Sequence, residues 1–335
     1  MSDFTSLPDL VAERLGGAVI AANDEFFAPK ENLVKAAAAV WREGEYTDRG
    51  KWMDGWETRR RRESGHDWCI IRLGAPGIVR GVVVDTAFFR GNYPESCSLE
   101  ASDAHGVVSS DRLAAGRWVP ILPKSPLQGD TRNLFATHDA PRTTHVRLNI
   151  FPDGGVARLR VHGEVVPDWA GLLAGGGWVD LAALEHGGRV LAQSDMFFGN
   201  ANNMLLPGRS THMGDGWETK RRRGPGHDWT IVRLGTRGAV RRIEVDTRHF
   251  KGNAPGSCSL DACAGVDAAA VPDESGNLRG QAPWRELLPQ TALQPHAQHA
   301  FEDEVRAIGD VTHVRFNVFP DGGVGRLRVY GIPRP

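Results

Sequence analysis

The second half of this chain repeats the first half in the same order. Residues 54–74 (DGWETRRRRESGHDWCIIRLG) and residues 215–235 (DGWETKRRRGPGHDWTIVRLG) are identical at 16 of 21 positions. Residues 145–163 and 313–331, which end the two copies, are identical at 15 of 19 positions. A repeat of this length indicates a duplicated domain rather than a solenoid of short units, so each copy is expected to fold around its own core.

The duplication predicts where the domains begin and end. At 335 residues the chain exceeds the usual length of one domain, about 100–200 residues. We expect a first domain over residues 1–163, a linker over residues 164–177 with Pro167 and the glycine run 175–177, and a second domain over residues 178–335. Between Phe27 and Asp54 the first copy carries ten additional residues. The alanine-rich part of this stretch, residues 35–41, is predicted to form a short helix.

Within each copy the apolar residues have a period of two. Val146, Leu148 and Ile150 alternate with other residues, and the same spacing returns after residues 152–155 (PDGG). This pattern predicts a β-hairpin closed by that turn. The chain has 40 glycines and 20 prolines, which favour many turns, and few stretches with the spacing of a helix. The predicted fold is all-β, with two tandem jelly-roll β-sandwich domains; a β-barrel in each half is the alternative.

The charge balance excludes several classes of partner. Lys and Arg number 40 against 41 Asp and Glu, so no global basic field would hold a nucleic acid or an anionic membrane. No apolar run reaches the roughly 20 residues that span a bilayer, and the N-terminal residues lack a signal-peptide pattern. We expect a cytoplasmic protein. The four cysteines show no C-x-x-C spacing and are expected to be reduced and mostly buried.

Three repeated blocks carry a family resemblance: Asp-Gly-Trp-Glu-Thr with Gly-His-Asp-Trp, Val-Asp-Thr-x-x-Phe-x-Gly-Asn-x-Pro, and Asn-x-Phe-Pro-Asp-Gly-Gly. In these blocks, in both copies and in the same order, the sequence resembles allantoicase, the allantoate amidinohydrolase of purine (allantoin) breakdown. The resemblance implies tandem jelly-roll domains related to galactose-binding-like sandwiches. It also implies hydrolysis of allantoate to ureidoglycolate and urea, with no established cofactor.

Such a reaction requires a cation for the substrate carboxylate, a proton for the leaving urea, a base for water and acceptors for the ureido N–H groups. The arginine blocks at residues 59–62 and 220–223 are the obvious cations, and Arg60, Arg61, Arg221 and Arg222 are the expected carboxylate-binding residues. Glu57 and Glu218 lie two positions before these blocks, on the same face of an extended strand as Arg59 and Lys220. Solvated arginines and simple ion pairs explain this pattern equally well.

The Gly-His-Asp-Trp block supplies the other candidate proton carriers. His66 and His227 lie where a loop enters a strand, and each is followed by an aspartate, Asp67 or Asp228. We expect these residues, with Glu57 and Glu218, to be catalytic; a buried histidine that only fixes a loop is the alternative. No further His or Cys stands at metal-ligand spacing, so no metal site is expected.

Asp85 and Asn92, with Asp246 and Asn253 in the second copy, are the candidates for ureido recognition. Turn formation through their own backbone is the competing interpretation. The sequence leaves open whether one copy or both hold a working site.

The hairpin arginines, Arg158 and Arg160 with Arg326 and Arg328, are expected to form a solvated or interface face. This expectation favours a homo-oligomer. A non-enzymatic carbohydrate or small-ligand binding module is the alternative function, and an inactive duplicate with a structural role is a third.

Overall fold

The computed structural model describes residues 4–104, 106, 108–264 and 283–335. Its contacts divide the chain into unit 1, Met1–Pro167, and unit 2, Asp168–Pro335. The segment 164–177, expected from sequence to be a linker, contains the end of a strand at Val165 and a helix, Trp169–Ala174. Part of this segment is therefore regular structure. No helix in the described part of the chain is long and apolar enough to cross a membrane.

Strands dominate both units. Those of unit 1 are β1 Ala18–Ala22, β2 Tyr46–Thr47, β3 Gly50–Lys51, β4 Trp56–Glu57, β5 Asp67–Asp85, β6 Ser96–Ser102, β7 Val119–Pro126, β8 Arg132–Ala136, β9 Arg142–Phe151, β10 Gly155–Val156 and β11 Arg158–Val165. Those of unit 2 are β12 Val179–Asp180, β13 Arg189–Gln193, β14 Trp217–Glu218, β15 Asp228–Asp246, β16 Ser257–Cys263, β17 Arg285–Ala292, β18 Gln298–Phe301, β19 Asp310–Phe319, β20 Gly323–Val324 and β21 Arg326–Pro333.

Helices are short. The α-helices are α1 Ser110–Ala114 and α2 Trp169–Ala174; the 3-10 turns are Phe4–Ser6, Glu13–Leu15, Lys30–Val34, Leu184–His186, Ala201–Leu205 and Met213–Asp215. The prediction of an all-β chain with two jelly-roll β-sandwich repeats is confirmed.

One long strand joins the two layers of unit 1. Residues 67–72 of β5 pair with β1 and β9, and β9 continues the layer through β6 to β7. After a register shift between Arg72 and Gly77, residues 77–85 of β5 pair with β11, and residues 81–85 also pair with β8. Strands that change sheets through such an irregularity form the corners of β-sandwiches. Unit 2 repeats this arrangement around β15.

The core of unit 1 is formed by alternate residues that face inward from both layers. Cys69, Ile71, Val82 and Val84 of β5 are fully buried in this cluster, and Leu148 of β9 joins them. All four cysteines of the chain are buried and free, as the sequence suggested.

The expected hairpin over residues 146–161 does not form. β9 pairs with β5 and β6, whereas β11 pairs with β5, so the Pro-Asp-Gly-Gly turn carries the chain from one layer to the other. Gly155, the last residue of the turn, and Val156 pair instead with β4. Periodicity fixes the face of a strand that is buried, but it does not fix which strand is its neighbour.

The hairpin arginines are not a solvated face. The Arg158 side chain is 1% exposed and forms an ion pair with Asp54 (Nη2–Oδ2, 2.8 Å), and unit 2 repeats this pair with Arg326 and Asp215. The Arg160 side chain is 18% exposed and pairs with Asp9 (Nε–Oδ2, 3.6 Å). The expectation of a homo-oligomer therefore loses this support.

The same arginines explain why residues 35–41 are not helical. Arg158 donates to the carbonyl oxygen of Ala37 (2.9 Å), and Arg160 donates to that of Lys35 (2.6 Å). Asp54 accepts a hydrogen bond from the Val40 amide. These tertiary partners replace the hydrogen bonds that a helix would supply, and they outweigh the helix propensity of alanine.

Candidate functional site

A cleft of about 870 Å³ lies in unit 1 where three connections meet. The first connection follows β4 and contains the arginine block, the second joins β5 to β6, and the third is the Pro-Asp-Gly-Gly turn. The lining comprises Phe26, Phe27, residues 57–62, residues 91–93, Glu95 and residues 152–154. A smaller cleft of about 480 Å³ shares residues 59–62 and extends to Asn23, Asp24, Glu63 and Asp67.

Close backbone packing holds the three connections together. Gly155 donates its amide to the Asn92 carbonyl (2.7 Å), and the Thr58 amide donates to the Gly154 carbonyl (3.1 Å). Gly154 has φ +136°, and a Cβ there would lie 2.8 Å from the Asn92 carbonyl oxygen. Glycine is required at this position because no side chain fits between the two turns. The polar side chains of the cleft are thereby presented from a rigid base.

Glu57 and Asn92 meet inside the cleft. The Asn92 Nδ2 donates to the Glu57 Oε1 at 2.8 Å. Burial raises the pKa of the Glu57 carboxyl, and the Asn92 hydrogen bond only partly opposes this effect. The Arg59 cation expected beside Glu57 is instead paired with Asp24 (Nε–Oδ2, 2.6 Å). Glu57 is consequently a carboxyl group with an amide partner and a tendency to keep its proton.

The four arginines of the block have different partners. Arg61 is paired with the buried Asp67 (Nη1–Oδ1, 2.6 Å), and the Arg61 amide donates to Asp153 (2.9 Å). Arg60 and Arg62 have exposed side chains and no hydrogen bond or ion pair with any described residue. Arg61 is therefore a fixed charge, whereas Arg60 and Arg62 are free to bind an anion in the cleft.

Burial acts on Asp24 in the opposite sense from its hydrogen bonds. Burial would raise the pKa of Asp24, but donors from the Phe26 amide and from Arg59 together lower it. Asp24 also accepts the Arg59 amide (3.1 Å), so one ionised carboxylate holds both the backbone and the side chain of Arg59. This pairing fixes the first residue of the arginine block.

The histidine and aspartate of the Gly-His-Asp-Trp block do not contact each other as a catalytic pair. His66 is exposed, packs against Phe151 with ring centroids 4.8 Å apart, and lies outside the described lining of both clefts. Asp67 accepts hydrogen bonds from Arg61 and from Asn23 (2.8 Å). His66 precedes the first residue of β5, Asp67, and the two side chains have different partners.

Asp85 and Asp246 lie at the ends of β5 and β15, where each caps its own turn. The Ala87 amide donates to the Asp85 carboxylate (2.9 Å), and the Arg248 amide donates to that of Asp246 (2.7 Å). Asp85 lies outside the described lining of the clefts in unit 1. Among the expected residues, Glu57, Arg60, Arg61 and Asn92 thus line the larger cleft, and Asp67 lines the smaller one.

Unit 2 contains the same polar pairs. Asn253 donates to Glu218 (2.6 Å), and Arg222 is paired with the buried Asp228. Arg221 is exposed, as is Arg60. His227 packs on Phe319 and its Nε2 lies 3.3 Å from the Asn317 Oδ1. The glutamate–asparagine pair and the arginine–aspartate pair are therefore duplicated along with the fold.

Asp24 and Asp153 organise the arginine block, although sequence reasoning did not single them out. Asp24 lies in Asp-x-Phe-Phe and Asp153 in the Pro-Asp-Gly-Gly turn, and both segments recur in the second copy. The repetition was a usable signal, but an aspartate in a turn is also explained by turn formation alone. Within the residues that the structure describes, no group of three or more His, Cys, Asp or Glu side chains is placed to hold a metal ion.

Comparison with known proteins gives consistent matches. The family model for the allantoicase repeat matches residues 8–166 and 179–334. The chain is 49% identical to a probable allantoicase of Pseudomonas aeruginosa, covering 99% of this chain and 97% of that protein. It is also 49% identical to the allantoicase of Dictyostelium discoideum, covering 96% and 86%. The crystal structure of allantoicase from Saccharomyces cerevisiae superposes with a TM-score of 0.79 at 36% identity, covering 98% and 96% of the two chains.

Proposed function

The chain belongs to the allantoicase family and is a hydrolase that acts on allantoate, and on this premise we propose that the cleft of unit 1 is where allantoate is hydrolysed to ureidoglycolate and urea. The observation that supports this site is the meeting of a half-buried acid, Glu57, with unpaired guanidinium groups in one cleft. Purine degradation is the process that this activity would serve.

Arg60 binds the substrate carboxylate in this proposal. Its guanidinium has no partner among the described residues and lines the cleft, so binding an anion breaks no existing ion pair. Arg61 contributes a fixed positive charge, because Asp67 holds its side chain and Asp153 holds its amide. A planar guanidinium matches both oxygens of a carboxylate, which orients the substrate as well as attracting it.

Glu57 transfers the protons. Burial raises its pKa, so Glu57 holds its proton to higher pH than an ordinary glutamate, and Asn92 binds one oxygen, which leaves the other oxygen to carry the proton. Glu57 gives its proton to the nitrogen of the departing urea as the carbon–nitrogen bond breaks, and the lone pair of the second ureido nitrogen forms an imine-like bond. Water then adds to the central carbon and returns a proton to Glu57. The acid is regenerated, and ureidoglycolate and urea are released.

Substitution of the acid tests this assignment. Glu57→Gln keeps the size and the hydrogen bond to Asn92 but has no proton to donate, so kcat should fall by about 10²–10⁴-fold. Urea released from allantoate by purified protein is the measurement. Glu304→Gln, which alters an exposed glutamate in unit 2, is the control for the change of charge. Full activity of Glu57→Gln would remove Glu57 from the mechanism, even though the chain remains an allantoicase.

Arg60→Ala tests the carboxylate contact separately. The loss of a charge-assisted bidentate hydrogen bond, worth about 1.5–3 kcal/mol, should raise KM for allantoate by roughly 10- to 100-fold. If KM is unchanged while Arg62→Ala raises it, the second free guanidinium is the carboxylate ligand instead.

A further inference from the structure

The two units have the same polar pairs but different walls around them. Tyr93 and Glu95, which line the cleft of unit 1, correspond to Ala254 and Gly256 in unit 2. The glutamate–asparagine contact is retained in both units, at 2.8 Å in unit 1 and 2.6 Å in unit 2. The two units can therefore be compared directly, because the glutamate–asparagine pair is the same in both and the residues around it differ.

The ten additional residues of the first copy lie behind one of these walls, the one that contains Phe26. Within this insertion, Arg49 lies over the Phe26 ring (5.3 Å to its centroid) and donates to the Phe26 carbonyl (3.1 Å). Arg59 also lies over this ring (5.4 Å to its centroid), and Phe26 is 39% exposed beneath the two guanidinium groups. The equivalent pair in unit 2, Phe197 and Phe198, has no such cover and is 71% and 61% exposed. In unit 1 alone, therefore, a residue of the insertion covers an aromatic side chain of the cleft lining.

Glu95 differs from the other acids of the cleft because its carboxylate is not already occupied. Glu57 is bonded to Asn92, and Asp153 accepts the Arg61 amide, whereas the Glu95 side chain has no partner among the described residues. A ureido group presents two N–H donors in the same direction, which suits the two oxygens of one carboxylate. The position of Glu95 in unit 2 is a glycine, which has no acceptor side chain.

We propose that Glu95 is a specificity-determining residue that binds the ureido group retained in the product, and that turnover is confined to the cleft of unit 1. This inference rests on the proposed function of that cleft. Glu57 supplies the proton, Arg60 binds the carboxylate and Glu95 binds the ureido group that does not leave. In unit 2, Glu218 and Asn253 meet, but the acceptor and the covering segment are missing.

Paired substitutions test where turnover takes place. Glu57→Gln and Glu218→Gln are the same chemical change at equivalent positions, and urea release at saturating allantoate is compared for the two. We expect Glu57→Gln to lower kcat at least 100-fold and Glu218→Gln to change it less than twofold. A loss of half or more of kcat in Glu218→Gln would show that both units work and would overturn the inference. Full activity in Glu57→Gln would instead refute the proposed acid, which distinguishes the two failures.

Glu95→Gln tests recognition of the ureido group. We expect KM for allantoate to rise about 10-fold with kcat within threefold, since Glu95 binds but does not transfer protons. Hydantoate has one carboxylate and one ureido group, and glycolate has a carboxylate without a ureido group. Inhibition by hydantoate should weaken about 10-fold in the variant, whereas inhibition by glycolate should not change. An unchanged KM, or equal weakening of both inhibitors, would refute the role of Glu95; Glu304→Gln is the charge control.

Discussion

Replacing Arg158 with methionine should destabilise unit 1 and also impair its cleft. The guanidinium is 1% exposed and donates to the Asp54 carboxylate, to the backbone carbonyls of Asp54 and Ala157, and to those of Ala37 and Ala38. Methionine matches the length of the arginine stem but supplies none of these donors. The buried carboxylate of Asp54 would then retain the Val40 amide and a Lys35 ammonium at 3.8 Å.

The expected loss follows from the burial of both partners. Removal of one member of a buried ion pair costs about 3–5 kcal/mol, because the remaining charge is left without compensation. The free energy of unfolding of a domain is about 5–15 kcal/mol, so the expected destabilisation is a large fraction of the stability of unit 1. With a slope of about 1–3 kcal/mol per M urea, the midpoint of unfolding should fall by at least about 1 M.

Arg326→Met is the matched control. Arg326 forms the same pair with Asp215 in unit 2, and both side chains are 6% exposed, but the second copy has no insertion. Urea unfolding followed by tryptophan fluorescence should show a comparable loss of stability in the two variants. The KM for allantoate should rise only in Arg158→Met, because only there does the arginine bind the backbone of Ala37 and Ala38, from which the chain continues to the segment that covers Phe26.

A double substitution measures the coupling between Arg158 and Asp54. Asp54→Asn combined with Arg158→Met removes both charges, so it should be less destabilising than the sum of the single changes, with a coupling of about 0.5–3 kcal/mol. A loss below about 1 kcal/mol in Arg158→Met, or strict additivity in the double variant, would show that the pair contributes little.

Three further predictions concern pH and the cysteines. Because burial raises the pKa of Glu57 above the ordinary value of 4.5, kcat should decline as pH rises through that raised pKa, and the pH profile of kcat would show this limb. Burial, reinforced by the nearby Arg233, lowers the pKa of His313 from 6.5 to about 4. The neutral imidazole therefore contributes up to about 3 kcal/mol to the free energy of unfolding above pH 6.5, and this contribution is lost as pH falls toward 4. Urea midpoints at pH 7 and pH 4.5 should differ less in His313→Gln. Burial raises the pKa of all four cysteines, to about 12 for Cys97 and Cys258 and about 11 for Cys263, so a disulfide reagent such as Ellman's should label the native protein at none of them within minutes and all four after unfolding.

Local patterns in the sequence predicted much of the candidate site. The blocks that contain Glu57, the arginines and Asn92 are repeated, and their residue types match the needs of the reaction. Pairing within the site was not predictable, because Asp67 is adjacent to His66 in sequence but binds Arg61 in the structure. Alternation along a strand sends neighbours to opposite faces, so adjacency in sequence does not indicate contact.

The sequence by itself determined the duplication, the all-β class and the alternation of buried residues, since each of these is a local or periodic property. Only the tertiary structure decided that β9 and β11 belong to different layers, that Arg158 is buried, and that residues 35–41 form no helix. An arginine in a strand has the same spacing whether it faces water or a partner 104 residues away, as Asp54 is from Arg158. Long-range pairs are specified by the folded geometry, and their energies override local propensity where the two disagree.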